Sequence, residues 1–200
     1  MALIPSDPLP GTDTPLHRAV FLDRDGTINV EKDYLYRPED LSFIPGAPEA
    51  IAKLNRAGYL VVVVTNQSGV ARGFFTMEDV MTLHKHMQQM LLEYGARVDA
   101  FYVCPHHPDA GTGQYAGSCR CRKGQPGMLL NAATELKIDL ERSYMIGDKI
   151  SDIEAGKAAG CHCLLVRTGY GEAARAEAET WNIPVVADLS AAVQMIRQED

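Results

Sequence analysis

Leu60-Val61-Val62-Val63-Val64 is the segment that most restricts what this chain can fold into. Four valines in succession leave no polar face, so a strand built from them must be covered on both sides. Sheets of that kind are parallel, with helices on each face. The remaining chain keeps the same rhythm. Strands are expected at residues 19–22, 60–64, 98–103, 144–146, 163–166 and 185–186. Helices are expected at 48–58 (closed by Gly58), 76–94 (capped by Thr76, stopped by Gly95), 126–136, 151–159 (capped by Ser151) and 189–197. The predicted class is α/β, a three-layer Rossmann-like parallel sheet with helices on both faces. Few residues separate Asp25 from Thr65, and most read as helix and strand, so no large cap domain is expected.

Residues 1–17, with Pro5, Pro8, Pro10 and Pro15, read as an extended arm ahead of one domain at 18–200. The first fifteen residues carry no Lys or Arg and only a short apolar patch, unlike a secretory signal. No apolar run approaches the ~20 residues that span a bilayer. A formal net charge of −7 offers no basic stripe to nucleic acid. A cytoplasmic monomer acting on a small molecule is the expectation, with no nucleic-acid or membrane partner.

Ligands of parallel sheets bind beyond the carboxyl ends of the strands. Asp23, Asp25, Thr65, Asn66, Cys104 and Asp148 are all expected there. Asp23 and Asp25 leave one strand together on an Asp-Gly turn and repel each other unless a cation, proton or phosphate-bearing ligand is present. Asp23 can attack a phosphorus centre, and Asp25 can protonate the departing alkoxide and later deprotonate water. Asp148, with Asp23 and the backbone carbonyl of Asp25, makes an oxygen-rich site of the kind magnesium prefers. Asp152, one helical turn on, either holds a metal-bound water or Lys149, or simply meets the helix dipole. The Thr65 hydroxyl and the N–H groups of Asn66, Gln67 and Ser68 suit a phosphoryl oxygen.

Cys104-Pro-His106-His107 opens a loop that returns at Cys119-Arg-Cys121. Three thiolates and one imidazole complete a closed four-coordinate zinc site, and a glycine-rich loop at 104–121 with no core of its own gains order from one. Either histidine could reach the metal; His106 is preferred because its spacing mirrors the returning Cys-x-Cys. Cys161 and Cys163 read as small core residues of a strand.

Asp23-x-Asp25-Gly-Thr, then Thr65 after a hydrophobic strand, then Lys123 before a helix, then Gly147-Asp148-x-x-x-Asp152, resembles the haloacid dehalogenase-like phosphohydrolases. The resemblance implies Asp23 as nucleophile, Asp25 as acid and base, and Thr65 and Lys123 as phosphoryl-stabilising groups. It implies Asp23, Asp25 and Asp148 as magnesium ligands. The cysteine loop is similar to that of capless members acting on D-glycero-D-manno-heptose 1,7-bisphosphate, and of their histidinol-phosphate phosphatase relatives. By that likeness the 7-phosphate is removed through an aspartyl-phosphate. Glu31, Lys32, Asp33 and Tyr34 would lie over the sugar, Arg122 would read the distal phosphate, and Lys149 would contact substrate or Asp25. Gly124 stands where the family usually carries proline, a change expected to loosen the backbone beside Lys123. A non-catalytic zinc module is the reading from another class; three Asp at strand ends speak against it.

Overall fold

The computed structural model describes residues 16–110 and 113–199, so all but the last two residues of the expected arm at 1–17 lie outside the described residues. Six parallel strands form one sheet: β1 (Ala19–Leu22), β2 (Leu60–Asn66), β3 (Ala100–Cys104), β4 (Tyr144–Gly147), β5 (His162–Val166) and β6 (Val185–Val186). Their order is β3-β2-β1-β4-β5-β6. The order reverses between β1 and β4, where a parallel sheet opens a crevice at its carboxyl edge.

Side chains alternate between the two faces of the strands. Val20, Leu22, Val61 and Val63 pack on one side with α1 (Ala47–Arg56), α2 (Met77–Leu92) and α6 (Leu189–Glu199). Phe21, Val62 and Val64 pack on the other with α3 (Gly127–Leu136), α4 (Ile150–Ala159) and α5 (Gly171–Thr180). All four valines are completely buried, each worth roughly 1.5–3 kcal/mol over exposure.

Several boundaries differ from expectation. β2 runs two residues further, because Thr65 and Asn66 stay in register with Val103 and Cys104. These residues therefore end their strands instead of following them. β3 starts at Ala100, since the Val98 N–H is taken by the Gln88 side chain at 3.0 Å. Thr76 caps α2 as expected, in a reciprocal pair with Asp79. Ser151, by contrast, lies inside α4: Lys149 holds the cap position, and its N–H donates to the Asp152 carboxylate at 3.0 Å. α5 was not expected. Its alanine and glutamate run carries too weak an apolar stripe to stand out.

Candidate active site

The turn after β1 carries Asp23 into the crevice, and the Asp23 N–H donates to the Ile146 carbonyl of β4 at 3.0 Å. Gly26 follows with φ +83, and a Cβ there would fall 2.2 Å from Asp148 Oδ2. Only glycine lets the two strand ends approach so closely. Asp23 Oδ1 accepts the Arg24 N–H at 2.7 Å and pairs with Lys123 Nζ at 2.6 Å. Asp148 Oδ2 accepts the Tyr170 N–H at 2.8 Å, while its Oδ1 is buried with no partner among the described residues.

Carboxylate oxygens of Asp23, Asp148 and Asp152 lie within 4.8 Å of one another. All three residues are at most 4% exposed. Burial raises the Asp23 pKa above the usual value, with Lys123 opposing. Burial, reinforced by the charge of Asp23, pushes Asp148 up to about 8. Three carboxylates against the one buried ammonium of Lys123 leave an excess of negative charge with an oxygen-only donor set. The orphaned Asp148 Oδ1 and these donors fit a hard divalent cation such as magnesium. Asp152 joins the side-chain group, whereas the expectation left its metal duty open. What Asp25 retains for a cation is its backbone carbonyl.

The Asp25 carboxylate turns to a different set of partners. The Arg24 guanidinium donates Nη2 to Asp25 Oδ2 at 2.8 Å and to Oδ1 at 3.1 Å, with Nε at 3.2 Å. Asn29 Nδ2 donates to Oδ1 and Gln67 Nε2 to Oδ2, each at 2.9 Å. Burial alone would raise this carboxyl's pKa, but the Arg24 charge and these hydrogen bonds outweigh it and hold Asp25 below the usual carboxylate range.

Thr65 is 1% exposed and its hydroxyl accepts from Gln67 Nε2 at 2.8 Å. Asn66 grips the lysine segment: its Oδ1 accepts the Lys123 N–H at 3.0 Å. Gly124, at φ +76, donates its N–H to the Ser151 carbonyl at 2.9 Å. Proline could adopt neither that φ nor that bond. The glycine thus ties the lysine segment to α4, where loosening was expected. Lys123 itself is buried between Asp23 and Asp152, the latter at 2.8 Å.

Above these groups a cleft of about 240 Å³ is lined by Asp25, Glu31, Asp33, Tyr34, Asn66, Gln67, Ser68, Lys149 and Tyr170. Lys149 Nζ pairs with Glu31 at 3.2 Å and sits over the Tyr170 ring at 4.6 Å. The Tyr170 hydroxyl donates to Asp33 at 3.2 Å. Asp33 and Tyr34 both hold positive φ, 32 and 62, a strained arrangement for non-glycine residues. Lys32 is not brought to this cleft; its ammonium donates to the Asp40 carbonyl on the exposed side. Arg122 does not line the cleft either, and its Nη1 donates to the His106 carbonyl at 3.1 Å.

Cys104 ends β3, and Cys119 and Cys121 return to it. The sulfur atoms stand 3.5, 3.2 and 3.3 Å apart, and His106 Nδ1 is 3.4 Å from Cys121 and 3.8 Å from Cys104. A tetrahedron with ~2.3 Å bonds to sulfur has edges of about 3.8 Å, close enough to these spacings that the cluster fits zinc with all four positions filled. His107 faces elsewhere: its Nδ1 accepts the N–H groups of Asp109 and Ala110, and its Nε2 lies 3.2 Å from Arg72.

Sequence reasoning gave no place to Arg24, Asn29, Thr168 or Tyr170. Arg24 and Asn29 are fully buried. Thr168 donates to the Gly26 carbonyl at 2.6 Å, which braces the turn. The one available signal was Arg24, a charge set between two aspartates at the end of an apolar strand.

Residues 120–192 match the family model described as HAD-hydrolase-like. The chain is 48% identical over 182 residues to D-glycero-beta-D-manno-heptose-1,7-bisphosphate 7-phosphatase of Photorhabdus laumondii, covering 90% of this chain and 97% of that protein. It is 44% identical over 178 residues to the Escherichia coli K12 protein of the same name, covering 88% and 93%. Among solved structures it is similar to the D,D-heptose 1,7-bisphosphate phosphatase from B. bronchiseptica, complexed with magnesium and phosphate. That likeness has a TM-score of 0.82 at 37% identity, over 92% of this chain and 99% of the other.

Proposed function

The chain belongs to the D-glycero-beta-D-manno-heptose-1,7-bisphosphate 7-phosphatase family of HAD-like hydrolases, and on that premise we propose that it hydrolyses the 7-phosphate of this bisphosphate. The observation that carries the reading is Asp23, buried at the switch point with Lys123 on one oxygen and Asp148 beside it. Residues 18–200 act as one catalytic unit, as a cytoplasmic monomer.

Asp23 attacks phosphorus through the carboxylate oxygen that Lys123 does not hold. A P–O bond to Asp23 forms as the bond from phosphorus to the sugar oxygen breaks, and Asp25 gives that oxygen its proton. Asp25 is ionised in the free protein; the arriving phosphate dianion raises its proton affinity, and it takes from solvent the proton that it then gives. In the second half Asp25 takes a proton from water, which attacks the aspartyl-phosphate and frees inorganic phosphate. Lys123 and the Thr65 hydroxyl meet charge developing on the phosphoryl oxygens. Magnesium, held by Asp23, Asp148 and the Asp25 carbonyl, would neutralise phosphoryl charge when bound. Asp152 then serves to fix Lys123 and the start of α4.

Glu31, Asp33, Tyr34, Asn66, Gln67, Ser68 and Lys149 would face the sugar, and Arg122, freed from the His106 carbonyl, the distal phosphate. Cys104, His106, Cys119 and Cys121 would hold a structural zinc.

The test follows phosphorus by NMR with both anomers of the bisphosphate and with histidinol phosphate, plus and minus magnesium. The expected result is magnesium-dependent loss of the 7-phosphate, retention of the 1-phosphate, preference for the β anomer, and no turnover in Asp23→Asn. Release of the 1-phosphate, faster turnover of histidinol phosphate, or full turnover in Asp23→Asn would overturn the proposal.

A further inference from the structure

Arg24 has no exposed surface, yet its guanidinium sits against the Asp25 carboxylate. Its Nη2 and Nε are committed to Asp25 and, through Nη2, to the Leu35 carbonyl at 3.0 Å. Nη1 points the other way, across the sheet's edge toward α2, and meets His84 Nε2 at 3.3 Å. A guanidinium offers only donors, so Nε2 must present its lone pair and the imidazole must be neutral. The ring has little freedom to do otherwise. It is 5% exposed and stacks on Phe101 of β3, with centroids 4.4 Å apart and planes inclined by 18°.

We propose that His84 is a positioning residue for the reaction, its ring nitrogen holding the Arg24 guanidinium square on the Asp25 carboxylate. The inference rests on Asp25 being the acid and base. His84 is not a catalytic residue, because it faces a different cavity from the substrate cleft. That cavity is an apolar groove of about 760 Å³ on the outer side of β3, lined also by Met77, Met81, Phe101 and Tyr102.

Three features make the role specific. First, the arginine's bidentate hold on Asp25 fixes the direction of both carboxylate oxygens, and a rotation of the fork displaces them from the leaving group. Second, burial together with the Arg24 charge lowers the His84 pKa to about 3, which keeps its lone pair available across the working pH range. Third, position 84 lies mid-helix on α2, where burial alone would be met better by leucine. An apolar side chain there would leave a buried guanidinium N–H with no acceptor.

The groove makes the idea testable by replacement of the missing ring. His84→Ala opens a void onto it, into which added imidazole can diffuse. The expected result is a fall in kcat of about tenfold or more with KM nearly unchanged, and partial recovery of kcat in imidazole. His84→Gln, which can present an amide oxygen to Nη1, should retain more kcat than His84→Leu. Met81→Ala, on the same groove, should leave kcat and the imidazole response unchanged. Wild-type kcat in His84→Leu, or a loss in His84→Ala that imidazole does not relieve, would overturn the inference. Asp25→Asn measured alongside separates the two readings: full turnover there removes the role of Asp25 itself, whereas its inactivity beside an active His84→Leu removes only that of His84.

Discussion

Lys123 and Asp152 form an ion pair at 2.8 Å with neither side chain more than 2% exposed, deep under the cleft. Burying a charge is tolerable only with partners of this quality, and removing one partner strands the other. Lys123→Met would leave Asp23 and Asp152 facing each other without a cation. The variant should lose about 3–5 kcal/mol of stability in urea unfolding, and at least about a hundredfold in phosphate release. A variant as stable as wild type would mean that the lysine is not what holds these carboxylates together.

Tyr170 joins the two walls of the cleft, with its ring under Lys149 and its hydroxyl on Asp33. Its backbone N–H to Asp148 survives any substitution but proline, which separates the side chain from the Asp23, Asp148 and Asp152 group. Tyr170→Phe deletes one exposed hydrogen bond and should change KM by less than about threefold. Tyr170→Ala also removes the cation–π contact, and KM should rise about fivefold or more with kcat held. Equal KM values in the two variants would mean that the ring does not order the cleft.

Cys119→Ser removes one of the four proposed ligands from the cluster. Zinc measured on the purified protein should fall well below one equivalent, and hydrogen exchange should accelerate through residues 104–121. Exchange in β1 and β2 should not change, because their valine and phenylalanine core does not depend on the loop. Unaltered zinc in this variant would exclude Cys119 from the ligand set.

His84 also makes a prediction about acid. Its pKa is about 3 in the folded chain against 6.5 when free. The unfolded state therefore takes up a proton first as pH falls. The histidine's contribution is intact above pH ~6.5 and is lost progressively toward pH ~3. Between pH 7 and 4, His84→Gln should lose less stability than wild type, by up to about 3 kcal/mol. Parallel urea midpoints for the two proteins over that range would show that the imidazole titrates freely in the fold.

How far the chain could be read in advance depended on whether a signal was local. The valines of β2 fixed a doubly covered strand from composition alone, and the strand order then carried Asp23 and Asp148 to one crevice. The Cys-x-His and Cys-x-Cys spacings foretold part of the four-residue cluster, because short spacings survive any fold. Partnerships across the sequence were hidden. Arg24 with His84 spans sixty positions, and Tyr170 with Asp33 spans 137. Neither residue type announces a distant partner. The partners of the Asp25 carboxylate were hidden too, since Gln67 lies 42 positions away. Lys32 turns to the Asp40 carbonyl, a partner that nothing in the sequence announces.

Cys121 stands two positions before Lys123 along the backbone, and Asn66 grips the lysine's own amide. The cysteine cluster thus shares one short stretch of backbone with the lysine whose ammonium pairs with Asp23. A mild oxidant or a mercurial would then silence a hydrolase that uses no sulfur in its chemistry. It would do so by letting one lysine drift rather than by blocking the mouth of the enzyme.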